Sequence, residues 1–506
     1  MQMLNNMGNL TRVRETETLE LEGFRIDAGF LEFTARDGRT CSVYAERCLL
    51  DREQGPAVIH CPGGGQTVDR ADLLDWARKG FSSVSFDWQI GDYPGHDPAK
   101  KSRWPKGVVT QIHYIRDASE AILPLAVQAA GACVDWLIES DKVNTEAIGV
   151  VGISWGGFLT WLVAAYEPRI KAAVPVYGCG GQFDERYPGR FRLPPAMRDA
   201  WINNWDPYSI AARQSKPVCY LSCTNDFFGI LPLANELLNK LTVPRRRGWL
   251  PNCNHSIGPG ESALGLAWLR HYLDNGPALP SEPVLKDDFT LEADAPEDIL
   301  SSEIWWTPEL KDGDLGCWIK GTPEGTFAAA YGRVHYKQGY TLSTPLKSQS
   351  QSQSQSHLPT LRDGLGWNWG MGSTQFHTNH VTVENLSEDT VLLHRDPDKK
   401  DDAPSFFLNQ FAHPEWNAGI GKAVTIGLRT DPPEPLSEAT VTLSIRGIGG
   451  RQELSATIPI ENDAIRIRLD EFPGFGPMHT WGSVVRVQIQ LKTTTKRFQV
   501  GPLERE

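Results

Sequence analysis

The chain has 506 residues and a formal net charge of −12, which is too long for one hydrophobic core and predicts two or three domains. The acidic balance argues against a nucleic-acid partner, and no apolar run approaches the roughly twenty residues of a membrane span. The N-terminal stretch has no apolar core of the signal-peptide kind, so the expected compartment is cytoplasmic unless a leader has been removed.

From about residue 20 to 275, strand-like and helix-like segments alternate. LEFTARDG and CSVYAERCL read as an antiparallel hairpin, and AVIH (57–60) as a short buried strand running into a Gly-rich loop. A helix over Asp69–Lys79, the strand FSSVSFDW, a long helical stretch over 119–139 and the strand AIGVV follow in order. Next come the helix FLTWLVAAY, the strands AAVPVYG and VCYLS, a helix over Leu231–Leu241 and the closing helix ALGLAWLRHYL. Such alternation predicts a mostly parallel, doubly wound α/β sheet covered on both faces, with ligands at the carboxyl ends of its strands.

After DNGP (274–277) the character changes. SEIWWTP, CWIKG and GRVHYKQGY read as strands of a small β unit over 285–346. The polar tract KSQSQSQSQSH within 347–360 reads as a low-complexity linker or loop. From about 361 to 506, period-two patterning such as Val441, Leu443, Ile445 and Val485, Val487, Ile489 predicts a β-sandwich. The tail is expected to pack against the first domain and shape access to its site.

The chemistry concentrates in GISWGG. Gly152-x-Ser154-x-Gly156 follows a buried strand and opens a helix, the context in which a sharp turn lifts a serine out of the backbone as a nucleophile. A serine hydroxyl needs a base, and the base needs an orienting carboxylate. Asp226 in CYLSCTNDFFG supplies the acid directly after a strand, and His255 in LPNCNHSIGPG supplies the base before the last helix. His60 and His113 precede the serine and His271 lies inside the closing helix, so they are poorer candidates. An oxyanion hole needs two backbone N–H donors. Trp155 is expected to give one, and Gly64 or Gly65, in the loop His60-Cys61-Pro62-Gly63-Gly64-Gly65-Gln66, the other.

At these residues the sequence resembles the α/β-hydrolase superfamily. It is similar to the acetyl xylan esterase-like, dienelactone-hydrolase-type and prolyl-oligopeptidase-like branches through GISWGGFLT, AAVPVYGCG, WDPYSI, TNDFF and NHSIGPGE. The resemblance covers about residues 40–275 and implies Ser154 as nucleophile, Asp226 as acid and His255 as base. Relatives of this kind often carry His-Gly-Gly-Gly or His-Gly-Tyr in the oxyanion loop, where this chain has Cys61-Pro62 after the histidine. The β-rich tail is similar in broad order to the jelly roll of the cocaine esterase and X-Pro dipeptidyl-peptidase group.

The segment 179–206 interrupts the sheet pattern and is expected to roof the site. It holds Phe183, Tyr187, Phe191, Trp201 and Trp205 together with Arg186, Arg190, Arg192 and Arg198. Trp201 and Trp205 are the expected substrate-binding residues, while the arginines are nearly balanced by Asp184, Glu185 and Asp199 and read as a salt-bridged surface. Trp367, Trp369, Trp416 and Trp481 in the tail read as core more than as sugar platforms. The expected substrate is a small-molecule or oligosaccharide ester. A serine peptidase, or a carbohydrate-binding protein on a hydrolase scaffold, is the alternative. Nine scattered cysteines read as buried thiols, Cys219 and Cys223 have no second pair to complete a zinc site, and no metal or other cofactor is expected.

Overall fold

The structure, a computed structural model, describes residues 9–89, 97–109, 120–181, 183–184, 195–308, 310, 316–323 and 327–348, and then 365–367, 381–386, 390–395, 405–408, 423–447, 450–474, 481, 484–491 and 497–505. Three antiparallel strands come first: β1 (Asn9–Leu21), β2 (Phe24–Thr34) and β3 (Thr40–Leu49). β1 was not expected from the sequence. Its run NLTRVRETETLEL is charged, as befits the strand at the edge of the sheet, where charge discourages pairing with another chain.

The alternating part follows as β4 (Gly55–Cys61), α1 (Arg70–Arg78), β5 (Ser82–Phe86), α2 (Leu123–Ile138), β6 (Val143–Ile153), α3 (Trp155–Tyr166), β7 (Ile170–Val176), α4 (Pro195–Asn204), α5 (Pro207–Ile210), β8 (Val218–Cys223), α6 (Leu231–Lys240), β9 (Arg245–Leu250) and α7 (Pro259–Leu273). The expected helix over 119–139 begins at Leu123, with a proline in its first turn, where the missing N–H costs nothing. The sheet runs β1-β2-β3-β5-β4-β6-β7-β8-β9, with β4 to β9 parallel and β4 and β5 exchanged relative to chain order. β4 and β5 are buried along their whole length, which is why they read as continuous apolar runs instead of alternating ones. α3 is buried from Gly156 to Ala164, so its sequence carries no polar face.

Residues 284–348 form short strands: β10 (Val284–Leu285), β11 (Leu291–Glu292), β12 (Ile299–Thr307), β13 (Ile319–Lys320), β14 (Ala329–Tyr336), β15 (Thr341–Ser343) and β16 (Lys347–Ser348). β13-β12-β14-β15 make a sheet of their own, with β16 against β14. Leu285, Trp306, Cys317, Ile319, Phe327 and Ala330 form a small cluster of their own, and other residues of the unit enter the cores of the first domain. Trp305, Trp318, Ala329 and Tyr331 join the cluster that includes α2 and α3, and Val334, Tyr336, Tyr340 and Leu342 join the one under α7. Polar contacts reinforce the seam. Trp249 donates its backbone N–H to Ser343 Oγ at 2.9 Å, and the Arg333 guanidinium meets Glu261 of α7 at 2.7 Å.

Arg333 also pairs with Glu303 at 3.1 Å, and Lys320 reaches the same carboxylate at 2.6 Å. Burial pushes the Glu303 carboxyl up, but His335, Arg333, Lys320 and the Trp305 N–H outweigh it and hold the group well below the usual carboxylate range. The folded state therefore favours the ionised form. The stability this contributes is present above the unfolded value of about 4.3 and is lost as pH falls below it. Glu303→Gln is expected to lower the urea midpoint at pH 7 and to close only part of that gap by about pH 3, because the folded-state carboxyl is still ionised there, measured by equilibrium unfolding at several pH values.

The C-terminal half contains β17 (Leu365–Trp367), β18 (Val381–Asn385), β19 (Val391–Arg395), β20 (Ser405–Leu408), β21 (Ala423–Thr430), β22 (Glu438–Gly447), β23 (Gly450–Glu461), β24 (Ala464–Arg468), β25 (Val484–Leu491) and β26 (Arg497–Arg505). All pair antiparallel, in the order β17-β20-β25-β22-β23-β24-β21-β26-β19-β18. The long β23 pairs with β22 near the middle of this path and with β24 at its far end. Apolar side chains from both arms then meet in one core, among them Val441, Leu443 and Ile489 from one arm and Ile426, Ile465 and Val500 from the other. Among the described residues that core contains nothing from residues 9–348. Trp481 is part of it, the Trp367 side chain lies outside the described residues, and so do Trp369, Trp416 and positions 349–360 of the polar tract.

Candidate active site

Ser154, Asp226 and His255 follow β6, β8 and β9 at the carboxyl edge of the parallel strands. The loop of residues 62–66 follows β4 at the same edge. His255 Nε2 lies 2.8 Å from Ser154 Oγ, and His255 Nδ1 lies 2.8 Å from Asp226 Oδ2. Asp226 is fully buried and well supplied with donors. Asp226 Oδ1 accepts from the Phe228 N–H at 2.7 Å and from the Gly229 N–H, while the Cys223 thiol lies 3.8 Å from Oδ2.

Ser154 sits at φ 59° and ψ −120°, a backbone conformation that costs of order 1–3 kcal/mol for a non-glycine residue. Its surroundings enforce that shape. The Ser154 N–H donates to Val176 O at 2.9 Å, and the Phe158 N–H donates to Ser154 O at 2.9 Å. The turn also needs bare backbone on either side. A Cβ on Gly156 would stand 1.9 Å from Cys61 O, and one on Gly152 would stand 2.4 Å from Gly156 O. Gly156→Ala is expected to cost about 3 kcal/mol or more, the upper end of overpacking, and to misplace Ser154. A lowered urea midpoint together with lost turnover would show both effects.

Comparison with known proteins places these features in context. The profile of the X-Pro dipeptidyl-peptidase (S15) family matches residues 121–216, a span that includes Ser154. A stretch of 47 residues is 43% identical to a candidate carboxymethylenebutenolidase of Methylorubrum extorquens, covering 9% of this chain and 16% of that protein's length. Among solved structures, an acetyl xylan esterase from Paenibacillus sp. R4 aligns at 17% identity over 52% of this chain and 89% of its own, with a TM-score of 0.42. A puromycin-hydrolyzing peptidase of Mycobacterium tuberculosis aligns at 16% identity over 52% and 47%, with a TM-score of 0.38. The sheet order with exchanged β4 and β5, the serine on a left-handed turn between β6 and α3, and the family match over that turn agree. The chain belongs to the α/β-hydrolase superfamily.

In this α/β hydrolase the two candidate glycines separate. The Gly65 N–H donates to Gln89 Oε1 at 2.8 Å, so Gly65 is corrected from a donor toward substrate to an anchor of the loop. The Gly63 N–H is taken by Gln66 Oε1, also at 2.8 Å. Among the described residues the Gly64 N–H has no hydrogen-bond partner, and Gly64 lies against the Trp155 indole, where a Cβ would come within 2.6 Å of Cδ1. Trp88 braces the same loop by donating Nε1–H to Pro62 O at 2.9 Å. Below it, burial pushes the Cys61 thiol up to about 12, which keeps it protonated and unreactive. His60 is buried with Asp72 3.6 Å away, and His271 faces Gly276 O at 3.2 Å, so neither meets Ser154.

Trp201 and Trp205 require a second correction. They are 1% and 3% exposed and belong to the main core, so they do not face a substrate. Trp201 packs edge-on against Trp155 at 6.4 Å and lies 5.6 Å from Phe158. Both tryptophans back the aromatic wall behind the Ser154 turn. Of the other roof residues, Tyr187, Phe191, Arg186, Arg190 and Arg192 lie outside the described residues. The base of the roof is fixed by buried Asp206, which accepts from the Gly181 N–H at 2.9 Å and from Tyr208 N–H at 2.9 Å.

Sequence reasoning missed the residues that hold the loops of Asp226 and His255. Asn252 donates Nδ2–H to Trp318 O at 2.8 Å and accepts from the Trp318 N–H at 2.9 Å. Asn225, beside the acid, donates Nδ2–H to Gly316 O at 2.7 Å. Asn225 adjoins Asp226 and Asn252 lies three residues before His255, but their partners lie 91 and 66 positions away and nothing local announces them.

Proposed function

We propose that this α/β hydrolase cleaves carboxylic esters through an acyl-enzyme, with Ser154 as nucleophile, His255 as base and Asp226 as orienting acid. The single observation that carries the reading is the unbroken chain from Asp226 Oδ2 through both ring nitrogens of His255 to Ser154 Oγ, 2.8 Å at each link. Ser154 Oγ attacks the ester carbonyl while His255 Nε2 takes its proton. The C–O bond to the alcohol then breaks as the imidazolium returns that proton to the leaving oxygen. Water repeats the sequence on the acyl-serine and releases the acid. The N–H groups of Trp155 and Gly64 are the proposed pair that meets the developing oxyanion.

The substrate class we propose is a small-molecule or oligosaccharide ester, acetylated carbohydrate included. The name of the Paenibacillus relative supports it. A second reading, hydrolysis of an aminoacyl or X-Pro amide, is favoured by the family match over 121–216. A panel of p-nitrophenyl acetate, acetylated xylo-oligosaccharide and X-Pro anilide separates the two. Ester turnover is expected, and cleavage of the anilide with every ester refused would overturn the ester reading in favour of the peptidase.

A further inference from the structure

Three residues at this site share an uncommon backbone. Ser154, Tyr177 and His255 have φ of 59°, 67° and 54°. Left-handed non-glycine residues persist only where the surroundings over-determine them, and they gather at functional sites. Tyr177 follows β7 and is held on several sides. Its N–H donates to Leu221 O at 2.9 Å, its carbonyl accepts from the Tyr220 hydroxyl, and Gly229 approaches so closely that a Cβ would stand 1.9 Å from that carbonyl. That strain is directed at His255. The Tyr177 ring centroid lies 4.4 Å from the imidazole with the planes 32° apart. A second ring, Phe227 from the loop after β8, lies 4.6 Å from the same imidazole at 31°.

We infer that Tyr177 and Phe227 form an aromatic clamp on the base, positioning residues that hold the His255 ring by its faces and stabilise the imidazolium that forms in the transition state. The inference rests on the proposed Ser154–His255–Asp226 reading. An aromatic face attracts a cation, and the attraction strengthens away from water. His255 is 10% exposed at its side chain, so the clamp acts in a largely dry setting. Burial holds the Tyr177 phenol well above the ordinary tyrosine value. Tyr177 therefore acts as a neutral ring. The other titratable groups around the base and its clamp are Asp226, Cys223, Cys253 and Glu261, of which Asp226 bonds to the ring in its plane and Cys223 and Cys253 are buried thiols. The clamp also keeps one ring orientation through both halves of the reaction, in which Nε2 must first accept and then donate.

Phe227→Leu removes one aromatic face and keeps an apolar side chain. It is expected to lower kcat by roughly 3- to 30-fold with KM little changed, and to move the acid limb of kcat/KM to lower pH by about half a unit or more, because the protonated ring loses a stabilising partner. Phe227→Tyr, which restores the face, is expected to return both quantities to the wild-type values. Phe227→Met serves the same comparison if the leucine variant does not fold, with thermal melting as the check. Fluorophosphonate labelling of the full chain separates the two levels of the argument. Wild-type labelling that Ser154→Ala abolishes upholds the triad, and a Phe227→Leu profile indistinguishable from wild type in that same preparation overturns the clamp. A lowered melting point with kcat and the acid limb unmoved also overturns it, since that is the signature of packing alone. Absence of wild-type labelling overturns the triad and the clamp with it.

Discussion

Ser154→Ala is expected to reduce ester turnover by about 10⁴-fold or more while leaving the melting temperature close to that of the wild type. The reaction as proposed has no route around the Ser154 oxygen, because His255 Nε2 is within hydrogen-bond reach of that atom and Asp226 occupies the other ring nitrogen. Removing one oxygen leaves the turn intact, since the Ser154 N–H and C=O keep their bonds to Val176 and Phe158. Alanine at φ 59° is still strained, so a shift of a few degrees in either direction is compatible with the reading. Groups that act as one unit are not additive. The double variant Ser154→Ala/His255→Ala is therefore expected to be no slower than Ser154→Ala alone. A single variant that retains turnover after wild-type contamination has been excluded, or a double variant far slower than the single, would sink the proposed triad.

The second large effect concerns where the chain can be cut. Ending it after Ser348 is expected to leave a soluble domain with the ester turnover of the full chain, whereas ending it near residue 280 is expected to give an insoluble, inactive product. The reason is the shared core. Trp318, Tyr331 and Leu342 are fully buried, Val334 and Tyr336 are at 1%, and they cover the helices and strands of the hydrolase sheet. At about 1.5–3 kcal/mol for each large apolar side chain, removing these contacts amounts to about 10 kcal/mol, on the scale of the entire net stability of a domain. The same cut strips Asn225 and Asn252 of their partners and frees the loops that carry Asp226 and His255. Solubility, circular dichroism and turnover of the two truncations check the expectation. A soluble, active chain ending near 280 would show that the β strands after α7 are an accessory.

Most of the architecture was legible because the parallel strands are buried runs and the helices punctuate them at regular intervals. The three residues of the hydrogen-bonded chain were legible for a related reason. The chemistry demands a serine between glycines, an acid after a later strand and a histidine before the last helix, in that order. What escaped was anything set by a distant partner. No pattern around Gly65 indicates that Gln89, 24 residues on, takes its N–H. Trp201 and Trp205 stand in an irregular segment, where a buried tryptophan and a substrate-facing one look alike. Tyr177 reads as the end of a strand, and its left-handed turn toward His255 shows only in three dimensions. Strand patterning after residue 285 was clear, but a strand's periodicity does not say which core it will join.

The pairing of Asn225 and Asn252 with Gly316–Trp318 also orders events in time. A chain is made from its N-terminus, and early segments begin to fold while later ones are still inside the ribosome. The turn bearing Ser154 has its bonding partner once β7 has emerged, at Val176. The loops bearing Asp226 and His255 wait until the segment Gly316–Trp318, roughly seventy to ninety residues further on, has been synthesised and docked. On the proposed reading, the turn that carries Ser154 is completed first and the loops that carry Asp226 and His255 are fixed last.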